Sequence, residues 1–120
     1  FTAIKRFIMK GVCVCFLSGD QRVNSRMCKN RNIDYYHNKK GTDKSEYLEQ
    51  ICKDYNCTLD ETAFVGDDIY DLEAMNEIAY PFCPSDATKD VLDFCNEHGY
   101  VLKTRSGKGV VKELYTYVYQ

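Results

Sequence analysis

Three carboxylates stand within five positions of the segment Phe64–Met75, which reads FVGDDIYDLEAM. Asp67, Asp68 and Asp71 directly follow an apolar run, where a strand is expected to hand over to a helix. Like charges this close repel each other, so the cluster should weaken the fold unless a cation lies beside it or water reaches it. Mg²⁺ suits these ligands because it prefers hard oxygens and usually takes one or two carboxylates, with substrate phosphate and water completing the shell. The cluster therefore predicts a magnesium site.

Two other segments carry groups that could hold a phosphate beside such a cation. Ser18 and Gly19 follow the apolar run GVCVCFL, and Lys44 follows the polar turn HNKKGTD. Lys44 would place a point charge on the phosphoryl oxygens, while the Ser18 hydroxyl and the Gly19 N–H could donate hydrogen bonds to them. The alternatives are a turn serine, a solvated lysine without an acidic helical partner, and an Asp71 that only suits the first turn of a helix.

Composition narrows the class of protein. The chain has 120 residues, a formal net charge of -2, and a hydrophobic fraction of 44%, which fits one globular domain spanning residues 1–120. The charge gives no general case for nucleic acid or an anionic membrane as partner. Seven cysteines without a C-x-x-C pair argue against a disulfide framework or a four-cysteine zinc site, and favour free thiols in a reducing cytoplasm.

Short apolar runs alternate with helical patterns along the chain. The predicted strands lie in GVCVCFL, NIDYY, TAFVG, AYPFC and YVLK, and Asp86 is the predicted N-cap of the helix after the fourth of them. This alternation predicts a doubly wound, Rossmann-like parallel sheet in a three-layer α/β fold. Ligands bind such sheets beyond the carboxyl ends of the strands, where Ser18, Lys44 and Asp67 are all expected.

At these motifs the sequence resembles the haloacid dehalogenase superfamily and, within it, the capless 3-deoxy-manno-octulosonate 8-phosphate phosphatases. The resemblance rests on FLSGD, GTDKSEYLE, FVGDDIYDLEAM and TRSGKGVVKEL. It implies Mg²⁺-dependent hydrolysis through an aspartyl-phosphate, with Ser18 orienting the phosphoryl group and Lys44 neutralising its charge. It also implies that Asp67 ligates the metal, with Asp68 and Asp71 shaping or supporting that ligand.

The glycine-rich tail is the least specific of these motifs. The resemblance implies that Arg105 or Lys108 reaches an anionic substrate, in a neighbouring subunit of a homotetramer. The alternative is a flexible turn before the last helix. No cap domain is expected, because the interval between Ser18 and Lys44 leaves room only for a helix and a short strand.

The sequence departs from the family at its nucleophile. The family places an Asp-x-Asp motif at the end of a first strand, and this sequence contains no Asp-x-Asp. Asp20 cannot substitute, because it belongs to the second motif; the family often has arginine at that position, which Arg22 could replace. The missing strand would lie between the strands that end at Ser18 and Gly66, which must otherwise pair directly or leave backbone groups unpaired.

Three functions follow as hypotheses. The first is a phosphatase module for a phosphorylated sugar acid, truncated at its N-terminus and inactive alone because its nucleophile lies upstream. The second is a noncatalytic oligomerisation module of an acylneuraminate cytidylyltransferase-type synthetase, whose C-terminal domain the sequence also resembles. The third is a receiver-like signalling domain, which would need an acceptor aspartate at a strand end.

Overall fold

Strands and helices alternate along the chain as predicted. The computed structural model describes residues 2–19 and 22–119. The strands are β1 Cys15–Ser18, β2 Asp34–His37, β3 Ala63–Val65, β4 Tyr80–Cys83 and β5 Tyr100–Val101. The helices are α1 Thr2–Met9, α2 Val23–Asn30, α3 Leu48–Asp54, α4 Leu72–Glu77, α5 Lys89–His98 and α6 Val110–Val118. Phe1, predicted in the first helix, and Asp20 lie outside the described residues.

The strands form two parallel sheets. β1 pairs with β2, from Cys15 opposite Asp34 to Ser18 opposite His37. β4 lies between β3 and β5 and pairs in parallel with both. Across the described ranges β1 and β3 do not pair with each other. The α/β prediction is confirmed, and the break falls where the sequence lacks the family's first strand.

Helices cover both faces of these sheets. On β4, Phe82 packs with Phe7 of α1 and Leu114 of α6, whereas Cys83 packs with Met75 and Val91 of α4 and α5. Successive residues of a strand point to opposite faces, so these are separate helical layers. The structure therefore has the predicted three layers.

One predicted helix start is wrong. Thr88 precedes the first residue of α5, and Asp86, the predicted N-cap, lies two residues earlier. The Asp86 carboxylate instead accepts a hydrogen bond from the backbone N–H of Ser106, at 2.8 Å. Because this bond comes from a loop twenty residues away, it could not be read from the local sequence.

The cysteines are free thiols, as the composition predicts. All seven cysteines are free, and Cys28, Cys52, Cys83 and Cys95 are buried. Across residues 2–19 and 22–119, no helix is long and apolar enough to cross a membrane.

Candidate active site

An ion pair joins the loop after β2 to the loop after β3. Lys44 begins a 3₁₀ turn, Lys44–Tyr47, and its Nζ lies 2.8 Å from Oδ1 of Asp71. The side chain of Asp71 is 1% exposed and that of Lys44 is 18% exposed. Lys44 is therefore not the solvated surface lysine of the alternative interpretation. The contact also brings the carboxyl ends of β2 and β3 to the same edge of the molecule.

Asp71 fixes the shape of the carboxylate loop. Its Oδ2 accepts hydrogen bonds from the N–H of Asp67 at 2.8 Å and the N–H of Asp68 at 3.1 Å. Gly66 lies so close that an added Cβ would be 2.6 Å from the Asp71 Cβ. One oxygen of Asp71 accepts hydrogen bonds from two backbone amides, and the other pairs with Lys44. Asp71 therefore holds the loop in place.

Asp67 and Asp68 have carboxylate oxygens directed to the same place. One oxygen each from Asp67, Asp68 and Asp71 lies within 4.8 Å of the others. The other interaction of Asp68 is local, because its Oδ1 accepts a hydrogen bond from Tyr70 N–H at 2.9 Å. The structure gives the Asp67 carboxylate no donor among the described residues.

The charges of this cluster are unbalanced. Burial raises the pKa of Asp67, and the neighbouring carboxylates of Asp71 and Asp68 raise it further, against the opposing effect of Lys44. Three carboxylates beside one ammonium leave an excess of negative charge that a divalent cation would neutralise. Hard oxygen ligands, among them an Asp67 carboxylate to which no described residue donates, fit Mg²⁺ or a similar ion.

The loop that presents Lys44 is shaped by a buried asparagine. Asn38 is 8% exposed, and its Nδ2 donates to the backbone oxygen and the Oγ1 of Thr42, at 2.9 and 3.0 Å. The hydroxyl of Tyr47 accepts a hydrogen bond from Lys39 N–H at 2.9 Å. Sequence reasoning missed Asn38, although an asparagine between a strand and a glycine turn is a common loop-shaping residue.

Ser18 and Gly19 lie next to this asparagine. The backbone oxygen of Ser18 accepts hydrogen bonds from Asn38 N–H at 2.9 Å and from the Tyr35 hydroxyl at 3.1 Å. The Ser18 Oγ accepts from Asn24 Nδ2 at 3.2 Å. Gly19 follows in an exposed position, so both predicted phosphate-binding residues lie at the carboxyl end of β1.

The glycine-rich tail forms a loop after β5 that two carboxylates hold in place. Glu113 accepts hydrogen bonds from the N–H groups of Lys103 and Thr104, at 3.0 and 2.8 Å. Nη2 of Arg105 lies 3.9 Å from Asp86 Oδ2, with the Arg105 side chain largely exposed. No local pattern points to Glu113, since its partners lie nine and ten residues earlier.

This tail loop is connected to the carboxylate cluster through the loop after β4. Thr88 N–H donates to the backbone oxygen of Asp67 at 2.9 Å, and Ser85 N–H donates to that of Thr104, also at 2.9 Å. Lys108 is exposed, and its N–H donates to the backbone oxygen of Arg105 at 3.0 Å. The substrate-binding roles of Arg105 and Lys108 stay predictions.

The chain is similar to known hydrolases in both sequence and fold. A family model of haloacid dehalogenase-like hydrolases matches residues 21–114. The chain belongs to this family. Its fold is similar to the cobalt-bound deoxy-D-mannose-octulosonate 8-phosphate phosphatase of Haemophilus influenzae, with 27% identity and a TM-score of 0.87 over 99% of this chain and 68% of that one.

Two further solved structures have the same hydrolase-family fold. A haloacid dehalogenase-superfamily hydrolase of Legionella pneumophila is 26% identical, with a TM-score of 0.81 over 95% of this chain and 61% of that one. The 3-deoxy-D-manno-octulosonate 8-phosphate phosphatase of Moraxella catarrhalis, solved with magnesium, phosphate and KDO, is 19% identical, with a TM-score of 0.84 over 98% and 66%. The chain thus spans roughly two thirds of the length of these relatives.

Proposed function

We propose that this chain is the larger part of a Mg²⁺-dependent phosphatase that acts on a phosphorylated sugar acid such as 3-deoxy-D-manno-octulosonate 8-phosphate. The observation that carries the proposal is the Lys44–Asp71 ion pair, whose Asp71 carboxylate also accepts a hydrogen bond from the backbone N–H of Asp67. It sets an ammonium beside an excess of carboxylate oxygen at one edge of the sheet, as phosphate and a divalent cation require. The named activities of the similar Haemophilus and Moraxella proteins support the substrate class.

Each residue then has a defined task. Lys44 offsets charge on the phosphoryl oxygens, and Ser18 with the Gly19 N–H donates hydrogen bonds to them. Asp67 and Asp68 hold the cation, while Asp71 keeps their backbone in place. The bound Mg²⁺ would supply charge stabilisation for phosphoryl transfer.

The nucleophile is expected on polypeptide upstream of this chain. Its carboxylate oxygen would bond to phosphorus as the bond from phosphorus to the ester oxygen breaks, and a second aspartate would protonate the departing alcohol. Water would then cleave the acyl phosphate, giving inorganic phosphate and the free carboxylate. Because this sequence has no Asp-x-Asp, we expect the chain alone to release no phosphate.

The proposal also covers substrate specificity, assembly and cellular location. Arg105 and Lys108 would bind the carboxylate of the sugar acid, in the same or a neighbouring subunit of a homotetramer. A reducing cytoplasm is the setting that we propose, and the free cysteines support it. No observation on the described residues favours the oligomerisation module or the receiver-like domain over the phosphatase.

The test uses the natural polypeptide extended upstream to include an Asp-x-Asp. With Mg²⁺ it should release phosphate from 3-deoxy-D-manno-octulosonate 8-phosphate, and Asp67→Asn should lower this rate by at least about 100-fold. The matched control is Asp90→Asn, an exposed aspartate of α5, which should keep the full rate. An Asp67→Asn protein with unchanged activity would overturn the proposal.

A further inference from the structure

Three helices of the chain end in the same kind of turn. In this Schellman turn, an N–H beyond the helix donates to the backbone oxygen five residues earlier, and the side chains of those two residues commonly meet. The donor and acceptor residues are Val12 and Phe7 after α1, Ile33 and Cys28 after α2, and Cys57 and Cys52 after α3. The third of these turns therefore joins two cysteines.

The turn after α3 holds these cysteines within reach of each other. Cys57 N–H donates to the Cys52 oxygen at 2.9 Å, and Asn56 just before Cys57 has a φ of 52°. Ordinary bond lengths on either side of that hydrogen bond limit the Cα–Cα distance to at most about 6.8 Å, which is inside the range that a disulfide spans. After α2 the same turn brings Cys28 and Ile33 into one buried cluster, so this geometry does place the two side chains together.

The two thiols also share their surroundings. Cys52 is the hydrogen-bond partner of the Cys57 thiol, and Cys52 Sγ lies 3.7 Å from Thr62 Oγ1. The Thr62 hydroxyl donates to the backbone oxygen of Thr58 at 2.8 Å. A bond between the two sulfurs would therefore leave the buried side of this turn without an unsatisfied hydroxyl.

Solvent reaches this thiol pair but not a second one. An open pocket of about 650 Å³ is lined by both Cys52 and Cys57. Cys57 is half-buried and Cys52 is 8% exposed. Cys83 and Cys95 also hydrogen-bond to each other, but each of them is 0% exposed in the core. The chain thus contains one accessible thiol pair and one enclosed pair that serves as its comparison.

The accessible pair is kept in its protonated form at neutral pH. Burial raises the pKa of the Cys57 thiol, and its hydrogen bond with Cys52 raises the pKa further. The thiolate is the form that reacts with oxidants, so oxidation of this pair is slow. Its redox behaviour is therefore measured at equilibrium rather than as a rate.

We propose that Cys52 and Cys57 are an oxidation site, at which they form a reversible disulfide by exchange with a small disulfide such as oxidised glutathione. The Cys57 thiolate attacks one sulfur of the oxidant, a mixed disulfide forms and one glutathione thiolate leaves. The Cys52 thiolate then attacks the Cys57 sulfur, the protein disulfide forms and the second glutathione thiolate leaves. The protein loses two hydrogens, and one oxidised glutathione becomes two thiols.

This inference goes beyond the proposed function, because neither cysteine belongs to the candidate active site. It is compatible with a reducing compartment, where disulfides are usually transient and respond to the redox state. The disulfide would fix the turn that ends α3, which follows directly on the 3₁₀ turn of Lys44.

The test equilibrates this chain, carrying Cys13→Ser, with mixtures of reduced and oxidised glutathione. The substitution removes an exposed thiol that would otherwise link two copies. As the share of oxidised glutathione rises, a species about 2 Da lighter than the dithiol form should appear, and dithiothreitol should remove it.

Trypsin locates the disulfide, because Lys53 lies between the two cysteines. Peptides 45–53 and 54–89 should be joined in the oxidised protein and separate after reduction. Peptide 54–89 also contains Cys83, so Cys57→Ser is the deciding variant, and it should abolish the joined product. Cys52→Ser should do the same, which keeps the test valid if one variant does not fold.

The enclosed pair is the internal control. Peptides 54–89 and 90–103, which carry Cys83 and Cys95, should stay separate at the same glutathione ratio. Their joining would show that access to solvent does not select the oxidised pair, and it would overturn the inference.

Three other results would also contradict the oxidation site. A joined product that persists in Cys57→Ser would mean that Cys52 pairs with Cys83. Glutathione that stays on Cys57 without closure, or linkage only between two copies of the chain, would mean that the turn does not bring the sulfurs together. Phosphate release enters none of these measurements, so failure of the proposed phosphatase would leave the oxidation site unaffected.

Discussion

Lys44 Nζ and Asp71 Oδ1 lie 2.8 Å apart, on loops that follow two strands belonging to separate sheets. The pair has two consequences. It leaves the remaining oxygens of the carboxylate cluster for a cation, and it connects two halves of the fold that share no strand pairing in the described residues. The site and the stability of the domain therefore depend on the same contact.

Removing the ammonium should destabilise the protein strongly. Lys44→Met leaves the buried Asp71 carboxylate without its partner. The unfolding free energy, measured by urea denaturation, should therefore fall by about 3 kcal/mol. The double variant with Asp71→Asn should recover about 1–2 kcal/mol relative to the sum of the single changes. Lys89→Met is the control, because Lys89 and Asp93 form an exposed helical pair whose loss should change the unfolding free energy little. Strictly additive losses would show that Lys44 and Asp71 do not interact.

Two glycines at strand ends should respond differently to alanine. Gly66→Ala places a Cβ 2.6 Å from the Asp71 Cβ, so the loop must shift at a cost of about 1–3 kcal/mol, and metal binding should weaken with it. Among the described residues, the Cβ of Gly19→Ala meets only the Asn38 backbone oxygen, at an ordinary 3.5 Å, and the unfolding free energy should change by less than about 1 kcal/mol. Equal losses in urea denaturation would contradict this difference.

The sequence predicted the parts of the fold that depend on local pattern. The alternation of apolar runs and helical periodicity placed every strand, because a strand covered on both faces must be apolar. Motif spacing placed Ser18, Lys44 and Asp67 at strand ends, and the structure joins two of these positions through Asp71.

Roles that depend on distant partners could not be predicted. Three aspartates of one cluster look alike in the sequence, whereas only Asp71 is enclosed between two amides and Lys44. Asp86 was expected to cap its own helix, and it holds a loop from twenty residues away instead. Such choices are decided by tertiary packing, which local propensity does not record.

Neutralising Asp67 should stabilise the metal-free protein and abolish its response to Mg²⁺. The pKa of Asp67 is raised by burial and by Asp71 and Asp68, so its charge costs stability at neutral pH and the cost is relieved as pH falls through the folded pKa. Because Asp67 as a whole residue is exposed and its carboxylate is only partly removed from water, Asp67→Asn should gain no more than about 0.5–1 kcal/mol. Thermal unfolding with and without Mg²⁺ measures both effects.

The control for this change is Asp90→Asn, which removes an exposed aspartate of α5. It should leave the rise in Tm with Mg²⁺ unchanged, since that rise follows from binding to the folded state, and should lower the metal-free Tm slightly because α5 loses a first-turn carboxylate. A Mg²⁺-dependent rise that persists in Asp67→Asn would show that the cation binds elsewhere.

Loss of the Asn38 amide should loosen the loop before Lys44. Asn38→Ala removes both donations to Thr42 from a buried position, at a cost of about 1–3 kcal/mol, and amide exchange in residues 39–42 should accelerate. Asn96→Ala, at an exposed position of α5, should change neither quantity. Unchanged exchange in residues 39–42 would mean that Asn38 does not shape this loop.

Glu113 should make stability depend on pH in the acid range. Burial alone would raise the pKa of Glu113, but hydrogen bonds from the Thr104 hydroxyl and from the N–H groups of Lys103 and Thr104 outweigh it and hold the pKa below its ordinary value of 4.5. A lowered pKa in the folded state stabilises the protein above pH 4.5, and the contribution disappears as pH falls through the folded pKa.

Glu113→Gln should therefore lower the unfolding free energy at pH 7 by about 1 kcal/mol, a value reduced by the partial exposure of the side chain. The difference in unfolding free energy between the two proteins should shrink as the pH falls below 4.5. Protonation of Glu113 in the parent then removes the same negative charge that the substitution removes in the variant. Urea denaturation across this pH range measures the difference, with Glu49→Gln on an exposed position of α3 as control. A difference that stays constant from pH 7 to pH 3 would show that the ionised carboxylate of Glu113 does not hold the tail loop.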